Sequence, residues 1–280
     1  MKRSLWLLCS TTLTIGALAS CESSKPATEV SATAGTTSPV ATTVASNEAM
    51  ESNGIRLTPF SDSPKFPEAQ MQMRAPIGGS TILSGEVAFD YQITNFQLTK
   101  MSGGPHMAQM ANSMKGQHIH NIIDNEPYTA HYETKFSKPV ADGQHVVLSF
   151  LSRSYHESLK HRGAYDLRVI NVGAAPSTAA PFDTKAPALF YSRPKDTYAG
   201  ADARRIMLDF YLVNTTLEAG GNRVRATING TEFMLDKWLP YMMEGLPAGE
   251  NTVKLELVDA SGTMIPGPFN SVTRTFTVAP

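Results

Sequence analysis

Over most of the chain apolar and polar residues alternate in short runs rather than recurring every three or four positions. The runs are rich in Val, Ile, Phe, Tyr and Thr and are separated by turn residues, which is the periodicity of half-buried strands. No stretch of helical period is long enough to predict a helix with a face of its own. Asn229-Gly230 carries the dipeptide that favours two-residue hairpins, and Asp124-Asn125 is a weaker counterpart. Two segments depart from the pattern. Leu5 to Leu18 is almost continuously apolar, and Glu22 to about Asn53 is Ser, Thr, Ala and Pro with few large apolar residues, the composition of a tether without a core.

The alternating part repeats itself. Val87-Ala-Phe-Asp90-Tyr91-Gln-Ile-Thr-Asn95 lies over Ile206-Met-Leu-Asp209-Phe210-Tyr-Leu-Val-Asn214. The run from Gly116 to Asn125 lies over Gly221 to Gly230. Arg168-Val-Ile-Asn-Val172 lies over Arg274-Thr-Phe-Thr-Val278. The segments pair in order, so we read two tandem copies of one domain, 54–173 and 182–280, joined by the Ala/Pro-rich linker 174–181. About seven short strands per hundred residues predict an all-β chain of two immunoglobulin-like or fibronectin-like antiparallel β-sandwiches following a disordered tether, 21–53. The Cys-Trp-Cys spacing of true immunoglobulin domains is absent.

Composition narrows the setting. The chain has 280 residues, 41% hydrophobic and 18% charged, with net charge -1. That balance suits soluble domains and carries no basic excess for nucleic acid. Lys2-Arg3, the apolar run and the small residues after it form a secretory signal peptide, residues 1–20. Its end, Leu18-Ala19-Ser20-Cys21, resembles the lipobox of bacterial lipoproteins. The resemblance implies cleavage before Cys21 and acylation of that cysteine, which would anchor the chain to a lipid bilayer. Glu22 in place of an Asp makes the outer membrane, facing the periplasm, the expected location. Cys9 leaves with the signal and Cys21 is consumed by lipid, so the mature chain has no thiolate for a disulfide, a nucleophile or a metal.

The candidate chemistry lies in the first copy. All seven histidines fall between His106 and His161. In Gly116-Gln117-His118-Ile119-His120-Asn121-Ile122-Ile123-Asp124, a predicted strand puts Ile119, Asn121 and Ile123 on one face and His118 with His120 on the other. The second copy has Arg223 and Arg225 at those two positions, so the histidine face is expected to meet water. Residues 99–115 are an insertion where copy two has only Glu218-Ala219-Gly220, and they carry His106, Met107, Met110 and Met114. Imidazole is a common ligand for copper and zinc, and thioether sulfur selects monovalent copper. The expectation is a copper site of His118 and His120, completed by His131 or His106 and by one or more of the three methionines, with zinc the less favoured metal. Asp124, His156 and Glu157 are candidates for the surrounding shell.

At these residues copy one resembles a His-rich periplasmic domain of unknown function, matching at His118, His120, Ile123, Asp124, His131-Tyr132, Gly143-Gln-His145 and His156. It departs from that pattern in Asp142, where a Pro is usual, and in the long insertion. The resemblance implies a sandwich fold and no activity. A rival expectation is a plain docking module for another envelope component, with the histidines as solvated surface. Catalysis is not expected, since no nucleophile elbow, His-Glu-x-x-His or phosphate-binding glycine loop is present.

Overall fold

The computed structural model describes residues 48–174 and 182–280. The expected signal peptide, Cys21, the tether up to residue 47 and linker residues 175–181 lie outside the described residues. Ala45–Pro280 is a single compact unit. Among the described residues there are eighteen strands and two short 3-10 turns, Arg162–Ala164 and Gly200–Ala203.

A hairpin comes first, β1 (Met50–Ser52) and β2 (Ile55–Pro59). Eight strands follow: β3 (Gln70–Ala75), β4 (Thr81–Ile82), β5 (Gly85–Thr94), β6 (His118–Ile123), β7 (Thr129–His131), β8 (Lys135–Val140), β9 (Gly143–Ser152) and β10 (Tyr165–Val172). The last eight are β11 (Ala188–Arg193), β12 (Thr197–Tyr198), β13 (Ile206–Val213), β14 (Arg223–Ile228), β15 (Thr231–Leu235), β16 (Tyr241–Glu244), β17 (Gly249–Val258) and β18 (Ser271–Val278).

The two octets share one plan. In the first, sheet β3-β5-β8 faces sheet β4-β10-β9-β6-β7. In the second, β11-β13-β16 faces β12-β18-β17-β14-β15 in the same order. The register repeats too: His118 pairs with Ser152 where Arg223 pairs with Val258, and His120 with Phe150 where Arg225 pairs with Glu256. Each fold is an antiparallel β-sandwich apart from the short parallel pairs β4/β10 and β12/β18. The sequence repeat is therefore a structural repeat.

Alternation along the strands fills each core. Ile119 on β6 meets Phe89 and Val87 of the opposite sheet in the first sandwich. Val224 on β14 lies with Ile206 and Leu208 in the second. Asp124 and Asn125, with φ of 53° and 57°, turn the chain after β6, and Asn229 and Gly230, at 47° and 83°, do so after β14. Paired left-handed residues of this kind match the twist of the strands they join.

Two expectations need correction. The tether does not run to Asn53 and the first domain does not begin at Gly54. Asn53 and Gly54, with φ of 49° and 76°, are themselves a hairpin turn, and β2 pairs with β16 of the second sandwich. Leu57 is paired with Met243 and fully buried in the second core, which Ile55 also joins. Nor does the histidine face of β6 meet water. Ile122, Val146, Leu148 and Phe150, on the outer face of β6 and β9, pack against Ala188, Phe190, Tyr211 and Val213, on the outer face of β11 and β13. A third apolar cluster thus fills the space between the sandwiches, and His118 and His120 lie within it at 0% exposure.

Candidate functional site

His118 and His120 point away from the first sandwich's core, as strand alternation requires. The third imidazole comes from His156, in the loop between β9 and β10. His118 Nε2 lies 2.9 Å from His120 Nε2 and 3.1 Å from His156 Nδ1. One ring nitrogen from each of the three falls within 4.8 Å of the others, and this is the one group of metal-binding composition among the described residues. Zinc to imidazole distances near 2.0–2.1 Å put tetrahedral donors about 3.3 Å apart, close to the two spacings from His118.

His156 is held in an unusual conformation. Its φ is 68°, in the left-handed region, at the position that copy two fills with Gly262, whose φ is 84°. A residue with a Cβ is disfavoured there. The loop is braced from three directions. Ser152 bridges Ser158 across its base, and His156 N donates to Arg153 O at 2.9 Å. Arg153 pairs with Glu157 at 3.0 Å and donates to Pro64 O at 2.7 Å. From the second sandwich, Asp209 accepts from Ser158 Oγ at 3.2 Å.

The insertion supplies the third brace. Ser113 N donates to Ser154 O at 2.8 Å, Ser154 N donates to Ser102 Oγ at 3.0 Å and Ser154 Oγ donates to Asn112 Oδ1 at 3.3 Å. Ser113 Oγ also lies 2.6 Å from Tyr132 Oη, and the Tyr132 ring stands 5.2 Å from that of His118. Residues 99–115 therefore position the histidine loop.

Around the trio the surroundings are aromatic and cationic. Tyr128 lies flat on His120, ring centroids 3.5 Å apart and 10° from parallel, with its hydroxyl 3.3 Å from His156 Nδ1. The guanidinium of Arg193 stands 5.6 Å from the Tyr128 ring and donates to Tyr198 Oη at 2.8 Å, and Lys195 Nζ is 4.6 Å from the same ring. His118 Nδ1 lies 2.8 Å from Gly116 O, so its N–H faces the carbonyl and the lone pair of Nε2 faces the other rings. Burial lowers the pKa of His118 from 6.5 to about 4, the more so for the charge on Arg193. Burial first, then the neighbouring rings and the charges on Arg193 and Lys195, depress His120 and His156 well below the usual imidazole value. All three rings are thus neutral near pH 7, the form that ligates metals.

The other expected ligands are elsewhere. His131 pairs directly with Ile119, so the β6/β7 register puts it on the opposite face from His118 and His120, where it stacks on Phe136 at 3.3 Å. His106 is held by Asp62 at 2.5 Å, against Phe60. Met107 and Met110 join a cluster with Phe60, Tyr155, Met207 and Met242, and Met114 is 91% exposed. Asp124 binds His145 Nδ1 at 2.6 Å and accepts from Val146 N at 2.8 Å. Asn229 repeats that arrangement with Asn251 and Thr252 N in copy two, so Asp124 secures a turn that the fold needs in both copies. Glu157 is taken by Arg153 and Ser63. His156, expected only around the site, is a member of it.

No family model and no curated protein matches the chain. Among solved structures, the fibronectin(III)-like modules of Clostridium thermocellum CbhA are similar at TM-score 0.26 and 8% identity, over 75% of this chain and 94% of that one. The central fibronectin-III array of RIM-binding protein gives TM-score 0.24 and 10% identity, over 78% and 69%. The chicken CNTN1 FN1-FN3 domains give 0.20 and 11%, over 72% and 66%. The likeness is one of fold alone.

Proposed function

We propose that this chain is a metal-binding module of the bacterial envelope, lipid-anchored through Cys21, that holds a copper ion on His118, His120 and His156. The observation that carries this reading is the convergence of three neutral imidazole nitrogens in a buried place where the sister sandwich has two arginines and a glycine. Imidazole suits copper and zinc alike. The charges nearby favour copper in its monovalent state. Among the described residues no carboxylate is bonded to any of the three rings, while Arg193 and Lys195 stand over the adjoining tyrosine. Each fixed positive charge costs a divalent ion twice what it costs a monovalent one. Zinc or Cu(II) would need an anion as a further ligand to offset that repulsion.

The test is titration of the mature protein with Cu(I) and with Zn(II) under competition from a chromophoric chelator. The His118→Ala/His120→Ala variant is expected to lose one equivalent of Cu(I). Unchanged stoichiometry and affinity in that variant would overturn the reading. His156→Gly serves as the second variant, since it removes a donor without touching the strand.

A further inference from the structure

The expected donor set divides into two groups, and the second has a chemistry of its own. Met207 on β13 and Met242 on β16 are direct cross-strand partners. Their neighbours Ile206, Leu208, Tyr241 and Met243 fill the second core, so these two methionines project from the outer face of the sheet. Directly opposed side chains on an antiparallel pair have Cβ atoms about 5 Å apart. The insertion lays Met110 and Met107 over them, with Phe60 and Tyr155 completing the cluster. Four thioethers from three separated segments of the chain therefore occupy one place.

An imidazole stands at the edge of this cluster. His106 and Met242 line the same groove, of about 410 Å³, and the His106 ring packs on Phe60 at 4.3 Å. His106 Nε2 faces the Asp62 carboxylate, which fixes the proton on that nitrogen. His106 Nδ1 is left buried with no hydrogen-bond partner. A carboxylate on one ring nitrogen and a bare lone pair on the other is the arrangement that orients metal-ligating histidines. Packing alone does not account for it, because a buried polar atom without a partner is destabilising.

The sister sandwich shows that the fold does not require methionine here. By register, Met207 and Met242 correspond to Ala88 and Ser137, which pair with each other on β5 and β8 and are exposed. The groove is also close to charge balance. Arg205 is paired with Glu244 at 2.9 Å and also donates to Gln109 of the insertion at 2.8 Å, which ties the methionine arm to the sheet.

We infer that Met107, Met110, Met207 and Met242, with Nδ1 of His106, form a second site, selective for a soft monovalent cation of the Cu(I) class. Neutral thioethers give little compensation for the hydration of a divalent ion, whereas they are favoured ligands of monovalent copper. The inference does not depend on the imidazole trio, which shares no residue with this cluster.

Silver(I), which needs no reductant, is the probe. In the His118→Ala/His120→Ala background the protein is expected to bind one equivalent of Ag(I), and the methyl resonances of Met207 and Met242 are expected to shift on binding. Adding Met207→Leu/Met242→Leu, which preserves side-chain volume and hence the fold, is expected to abolish that equivalent. His106→Gln is expected to weaken it without abolishing it. Retention of the full equivalent after the leucine substitutions, or methionine resonances that Ag(I) leaves in place, overturns the site. Absence of Ag(I) binding in the His118→Ala/His120→Ala background overturns it as well, whereas loss of the trio's own Cu(I) equivalent concerns only the first site.

Discussion

At the scale of single residues, His156 is the most telling side chain. It occupies a left-handed backbone position that the sister copy gives to Gly262. Glycine takes such a position without steric penalty, and a residue with a Cβ is held there at a cost of about 1 kcal/mol. His156→Gly is therefore expected to leave the urea midpoint of the metal-free protein unchanged or slightly raised while removing a metal donor. A fall in stability of 2 kcal/mol or more, on the order of a core truncation, would instead mean that the ring is there for packing. The neighbouring His118 sets a pH dependence. Its folded pKa of about 4 lies below the unfolded 6.5, so between those values the unfolded chain binds more protons than the folded one. Stability then rises with pH across that window and is lost as the pH falls through it, by at most about 1.4 kcal/mol per pH unit for each such group. Urea titrations of chelator-treated protein from pH 7 to pH 4.5 are expected to show this decline, and a flat profile would show that the imidazoles are hydrated.

At the scale of elements, register decides which histidines can meet. The spacing of His118 and His120 shows that they share a face, and His131 is near them in sequence, yet the β6/β7 pairing puts His131 opposite Ile119 on the other face. A strand's own alternation is legible in its sequence, whereas the offset between two strands is a tertiary property. The same distinction explains why the face was expected to be wet. Arg225 in the sister copy keeps part of its side chain exposed and pairs with Glu256 at 3.0 Å. On β6 the equivalent side is where the sandwiches meet. The apolar residues of that contact, Leu148 and Phe150 against Phe190 and Tyr211, were visible as strand residues but not as an interface. Phe150 is fully buried and stacks on Tyr211 at 4.7 Å. Phe150→Ala is expected to cost about 3–5 kcal/mol and to weaken metal binding at the trio, since the Phe150 ring also touches that of His120 at 5.1 Å. Equilibrium unfolding followed by tyrosine fluorescence, alongside a metal titration, checks both effects.

At the scale of the whole described molecule, the order of segments in sequence is not their order in space. The hairpin β1/β2 precedes the first sandwich in the chain but extends a sheet of the second, giving the order β1-β2-β16-β13-β11. Asn53-Gly54 carried the signal for it, the same dipeptide that marks the turn at Asn229-Gly230, but its sheet lies some 180 residues on and no local pattern points there. The first sandwich is consequently flanked in sequence by two segments of the second, with the apolar outer face of β6 and β9 closed over by β11 and β13. Two domains joined by a linker alone would unfold separately, whereas a chain that leaves from and returns to one sheet couples them. Leu57→Ala tests this coupling. Leu57 is fully buried in the second core, and its truncation is expected to cost about 2–5 kcal/mol there. If the sandwiches are coupled, amide exchange accelerates in β6 and β9 as well as in β16, because opening the second sandwich uncovers the face that buries the imidazoles. Faster exchange confined to β16 and its neighbours would show two independent units, and the trio would then be sheltered by the first sandwich and its insertion alone.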